Sequence, residues 1–201
     1  MNIKRLVLFS FMVALIPAFG MAQIKGKWEP IIPNVPPKVH SLDQVRIYEV
    51  FSFGCPHCYH LNEKLPQLKK RFGNKIKLIP MPIGWQGVNP GRLYFIAEEK
   101  GKGEAVKAMI FDFYHQKGLE DAIYSKDKLQ YVARFNGLSN EFKTRMEAPD
   151  IVKKMNDSMQ FARDKGVQST PTLIIEGALK THGDIQNLTL IINSLLKDPV
   201  K

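Results

Sequence analysis

Two cysteines occur in this chain of 201 residues, and both lie in one stretch, "FSFGCPHCYH", residues 51–60. A thiol pair at Cys55 and Cys58 permits three chemistries: a structural disulfide, part of a metal site, or exchange of electrons with other thiols. A disulfide across so small a loop restricts the unfolded chain little, which argues against a staple. Tetrahedral zinc takes four ligands, commonly supplied by a second pair with its own spacing, and no second pair follows. The histidines outside the stretch, His40, His115 and His182, are scattered along the chain and read as isolated surface residues. A soft copper(I) site needs fewer ligands, so a copper-binding or delivery protein stays open beside thiol exchange.

Exchange runs through a thiolate, so the placement of the pair controls its reactivity. Residues 45–53 ("VRIYEVFSF") are rich in β-branched and aromatic side chains and predict a strand buried within a sheet. From Pro56 to Phe72 the pattern becomes helical, with Tyr59, Leu61, Leu65 and Leu68 on one apolar stripe, a kink at Pro66 and an end at Gly73. Cys55 thus stands where strand passes into helix. There, unpaired backbone N–H groups and the positive helix end favour a negative sulfur. Pro56 suits the first helical turn because its missing N–H would have had no partner. His57 adds a positive contribution beside the sulfur, and Cys58, one turn later, can attack a mixed disulfide formed at Cys55. Glu49 is the one acid of the strand, on the side of Val45, Ile47, Phe51 and Phe53. It lies either at an exposed strand end or buried, and buried ionisable groups concentrate at functional sites.

The elements around this junction follow from the remaining pattern. Residues 1–22 have a short basic start (Lys4, Arg5), an apolar run from Leu6 to Ile16, and small residues before a cleavage point after Ala22, the layout of a secretory signal peptide. Export places the cysteines where disulfides persist. Without the leader the formal charge falls from +10 to +8. The lysines are dispersed, and no arginine-rich tract interleaved with aromatics marks a nucleic-acid surface, so a solvated basic surface is expected. The proline-rich residues 23–41 read as an extended arm with one short strand near Trp28. A second strand is predicted at 76–81, helices at 90–100, 103–116, 126–135, 139–146 and 149–165, strands at 172–176 and just after Gly177, and a last helix at 184–197. That order implies a mixed sheet with one helical insertion.

The stretches "EVFSFGCPHCYH" and "QSTPTLII" resemble the DsbA family of periplasmic thiol–disulfide oxidoreductases. The resemblance implies an α/β thioredoxin fold with an inserted α-helical domain: thioredoxin-like residues 23–84 and 166–201, insertion 85–165. It implies that Cys55, Cys58, His57 and Pro56 carry the chemistry, with no cofactor beyond a redox-active Cys55–Cys58 disulfide. The expected substrates are reduced or unfolded exported proteins in the periplasm. The expected reoxidant is a DsbB-like quinone-linked membrane oxidase, and a monomer is favoured over a dimer. Pro171 matches the family's cis-proline facing the cysteine pair, and Thr170 before it is the expected substrate-pairing residue. Familiar oxidases of the family carry Val at that place, whereas Thr is common in disulfide isomerases and some other branches, so a disulfide reductase or isomerase using the same cysteines remains the alternative. Glu49 matches an acid that assists proton transfer at the second thiol, here Cys58, and Lys77 is the nearest candidate for the lysine that accompanies it. Phe53, Tyr59, Trp85 and the aromatic run at 110–115 read as core for the most part, with some available to line a groove beside Cys55.

Overall fold

In a computed structural model, which describes residues 23–35, 41–116 and 124–200, the strand pattern after Gln44 becomes the structural axis of the protein. Residues 1–22, where a leader is expected, and residues 36–40, with His40, lie outside the described residues. A two-residue strand β1 (Glu29–Pro30) is followed by β2 (Val45–Phe51), helix α1 (Pro56–Phe72) and β3 (Ile76–Pro82). Five helices come next: α2 (Asn89–Glu99), α3 (Gly103–His115), α4 (Lys126–Phe135), α5 (Ser139–Arg145) and α6 (Pro149–Asp164). Strands β4 (Thr172–Ile175) and β5 (Leu179–His182) then lead to α7 (Ile185–Leu195).

The sheet has the order β1-β5-β4-β2-β3. β2 and β3 run parallel, the pairing that a helical crossover such as α1 permits. β4 is antiparallel to both β2 and β5. One register matters most: Val50 faces Thr172. The chain leaving β2 toward Cys55 and the chain entering β4 from Thr170 therefore emerge at the same end of the sheet.

Side-chain alternation on β2 sends Val45 and Ile47 into a core with Leu65 and Leu68 of α1 and Ile191 and Ile192 of α7. Val50 and Ile174 point to the opposite face, where Ala162 of α6 covers them. At the end of β2, Phe51 and Phe53 join Tyr94, Ile110 and Phe111 in a third core that ties the helical insertion to the sheet. The predicted strand to residue 53 stops at Phe51, because Ser52 turns the chain: its carbonyl accepts from the Cys55 N–H at 3.1 Å. α1 ends as its pattern predicts, with Gly73 at φ 54° and its N–H bonded to the Lys69 carbonyl. The left-handed conformation there favours a residue without Cβ.

Candidate active site

Cys55 is the N-cap of α1. Its backbone is extended, Pro56 follows in the first turn, and its Sγ accepts the Cys58 N–H at 3.1 Å. A sulfur thus fills the capping role that Ser or Asp oxygen usually takes, satisfying an otherwise unpaired helix donor. In the dithiol form the Cys55 thiol donates to the Thr170 carbonyl at 3.2 Å, a contact between residues 115 apart in sequence. The Thr170–Pro171 peptide is cis. Pro171 is buried, Thr170 half-buried, and Pro56 and His57 exposed. The structure therefore brings together Cys55, Pro56, His57, Cys58, Thr170 and Pro171.

The two sulfurs are held differently. Cys55 is half-buried, and its pKa falls to about 6. A hydrogen bond from the Cys58 thiol is the largest cause, burial opposes it, and hydrogen bonds with the Thr170 side chain and Cys58 N–H follow. The charge of His57 contributes less than these. Cys58 is fully buried, and burial first, then its bond to Cys55, pushes its pKa far up. One nucleophilic thiolate beside one protonated thiol is what disulfide exchange requires.

Glu49 is buried on β2, at 1% exposure, and its carboxylate accepts from Lys107 Nζ at 2.8 and 2.7 Å. Lys107 comes from α3, is equally buried, and also lies 4.3 Å over the Phe51 ring. The expected companion, Lys77, is corrected: it is exposed on β3 and stands opposite Arg46. Lys107 was legible as an oddity, since it falls on the same α3 stripe as Val106, Ile110 and Phe111, where an apolar residue belongs. His115 is also corrected. It is half-buried, with its ring nitrogen 2.9 Å from the Phe53 carbonyl and its ring stacked on Tyr59, centroids 5.2 Å apart. A carbonyl only accepts, so that nitrogen, Nε2, carries the proton. Of the aromatics, Phe53, Tyr59, Phe111 and Phe113 are core, whereas Trp85 is 57% exposed.

Two cavities flank Cys55. One, about 480 Å³, lies over His57, His60, Lys64, Pro171 and His182. The other, about 390 Å³, is lined by Cys55, Gly54, Trp85, Gln86 and Gln168. They share His57, Ser169 and Thr170. Among the described residues no group of three or more His, Cys, Asp or Glu is placed to hold a metal ion, and no helix is long and apolar enough to cross a membrane.

A family model described as "Thioredoxin" matches residues 43–194, from the foot of β2 to the end of α7. The chain belongs to the thioredoxin family. Among curated relatives, the thiol:disulfide interchange protein DsbA of Burkholderia cepacia is 22% identical over 183 residues, covering 87% of this chain and 86% of the relative. The solved DsbA oxidoreductase of Xylella fastidiosa superposes with a TM-score of 0.68 at 22% identity, over 84% of this chain and 92% of that one. A DsbA of Proteus mirabilis, with a TM-score of 0.62, 16% identity and coverage of 79% and 84%, was solved with a bound peptide, PWATCDS. The thioredoxin-family chain is thus a DsbA-like thiol–disulfide oxidoreductase, and its mixed sheet carries the helical insertion expected from the element order.

Proposed function

We propose that the protein is an oxidase that donates its Cys55–Cys58 disulfide to reduced cysteines of exported proteins in the periplasm. A substrate thiolate attacks Cys55 Sγ, the Cys55–Cys58 bond breaks, and Cys58 leaves as a thiolate that takes up a proton. A second substrate thiolate then attacks the substrate sulfur of the mixed disulfide and expels Cys55 as a thiolate. The substrate loses two electrons and gains a disulfide; the protein gains them as a dithiol. No cofactor enters this sequence. Electrons leave the dithiol to a DsbB-like quinone-linked membrane oxidase, and the protein acts as a monomer, with the leader at 1–22 removed and residues 85–165 forming the inserted domain between thioredoxin-like residues 23–84 and 166–201.

The observation that carries this reading is the asymmetry of the pair. A Cys55 pKa near 6 stabilises the reduced state through its thiolate, which shifts the disulfide toward the oxidising side relative to a pair with an unperturbed thiol. Pro56 and His57 belong to that stabilised junction, Thr170 and Pro171 present the backbone to the incoming chain, and Glu49 with Lys107 assists proton transfer at Cys58. The test is the reduction potential in glutathione buffers, together with Cys55→Ser. A potential near the value of DsbA oxidases, about −120 mV, supports donation. A potential near or below about −200 mV, in the reductase and isomerase range, overturns the direction. Unchanged oxidation of a reduced test protein by Cys55→Ser would overturn the chemistry itself.

A further inference from the structure

Trp85 is a large apolar side chain left in solvent, 57% exposed, in a wall of the cavity that contains the reactive sulfur. Its loop is not loose. Ile83, just before it, is buried and its N–H bonds to the Phe51 carbonyl at 2.8 Å. Gln86, just after it, accepts from the Tyr124 hydroxyl, and its side chain packs against Gly54 so closely that a Cβ there would collide with it. The backbone that carries the indole is therefore anchored beside Cys55 on both sides, while the indole's own surface stays largely exposed. Exposed single apolar residues are ordinary, but a tryptophan on an anchored loop in a cavity at the reacting atom is the kind of side chain that anchors recognition.

The cavity also has a direction. The Trp85 cavity borders Gln168, Ser169 and Thr170, whereas the histidine cavity borders Ser169, Thr170 and Pro171. A strand added to residues 168–171 in the antiparallel sense, as β4 pairs on both of its sides, runs from the histidine cavity across Cys55 to the Trp85 cavity. The side chain following the substrate cysteine then enters the Trp85 cavity, and the side chains preceding it enter the histidine cavity.

We infer that Trp85 forms a specificity subsite for an aromatic or large apolar residue immediately following the substrate cysteine. This rests on the thiol-exchange reading above. The exchange chemistry at Cys55 is unchanged; the subsite alters only how tightly its transition state is held. Stacking against the indole gives an expected preference of about tenfold, equivalent to about 1.4 kcal/mol.

The experiment uses the oxidised protein and three short single-cysteine peptides, Cys-Phe, Cys-Gly and Phe-Cys, in one otherwise polar frame, with reduced glutathione as a fourth thiol. The rate of reduction of the protein disulfide is measured for each. The wild-type protein is expected to react with Cys-Phe about ten times faster than with Cys-Gly or Phe-Cys. In Trp85→Ala the Cys-Phe to Cys-Gly ratio should fall to about one, and Trp85→Phe should retain most of it. Ratios taken within one variant do not depend on how much active protein is present. Equal wild-type rates for the three peptides, an advantage for Phe-Cys, or an undiminished ratio in Trp85→Ala would each overturn the subsite. Reduction by glutathione with equal peptide rates rejects the subsite alone. A wild-type disulfide that no thiol reduces rejects the exchange reading and the subsite with it.

Discussion

Lys107 reaches across from the helical insertion to clasp both carboxylate oxygens of Glu49, at 2.8 and 2.7 Å, with each side chain 1% exposed. Two charges taken from water at such depth are tolerated because each neutralises the other, and their loss is asymmetric. Lys107→Met leaves a buried carboxylate without its partner and is expected to destabilise the protein by about 3–5 kcal/mol in denaturant unfolding. The double change Glu49→Gln with Lys107→Met removes both charges and should recover much of that loss. Lys77→Met, on the exposed side of β3, should stay within about 0.5 kcal/mol of wild type. Equal costs for the Lys107 and Lys77 changes would reject the ion pair as a structural tie.

The pairing of Glu49 also shows where reading the chain stops. The bounds of α1 were legible because Pro56 and Gly73 are local devices that start and end a helix, and the strand at Val45 because its composition is local too. The convergence of Cys55 and Thr170 followed only from resemblance, since it depends on Val50 lying opposite Thr172, a register that no local pattern encodes. Lys107 and His115 were missed for the same reason. Each is placed by how α3 docks on the sheet, and Lys107 announced itself only as a charge on an apolar stripe. Trp85 was read with the core aromatics because burial of a lone tryptophan depends on what the fold brings over it.

Pro66 lies inside α1 on its exposed side. It has no N–H for the carbonyl four residues back, and its ring crowds that carbonyl. Pro66→Ala restores the donor and should raise stability by about 1–3 kcal/mol. The checking measurement is the midpoint of urea unfolding. A lower midpoint would mean that the backbone geometry proline imposes at residue 66 is needed for Leu65 and Leu68 to reach the core.

His115 donates to the Phe53 carbonyl while its ring stacks on Tyr59. Phe53 lies within the turn from Ser52 to Cys55, so this bond fixes the route of the chain into the reactive junction. His115→Phe keeps a ring in the stack and removes the donor. The exposed cost of a buried acceptor without its bond is about 1–3 kcal/mol, and unfolding of the variant should show a loss in that range. Stability equal to wild type would assign His115 to ring packing alone.

The Cys55 thiolate titration, followed by ultraviolet absorbance of the reduced protein, should have a midpoint near 6. Because the folded value lies below the ordinary thiol value of about 8.5, the thiolate's contribution to the stability of the reduced protein grows as pH rises from about 6 toward that ordinary value. It is present in full above the unfolded pKa and is lost as pH falls through the folded one. The reduced protein should therefore gain stability relative to the oxidised protein across that window, which a pH series of unfolding curves for both forms would reveal. The causes can be separated. Cys58→Ala deletes the largest, the hydrogen bond from the second thiol, and should raise the midpoint most. Thr170→Val deletes a weaker hydrogen bond and should raise it less, lowering the reduction potential in step. His57→Ala should move it least of the three, since its charge contributes less to the Cys55 shift than either hydrogen bond. A larger rise for His57→Ala than for Cys58→Ala would place the thiolate's stabilisation in the imidazole and not in the partner thiol.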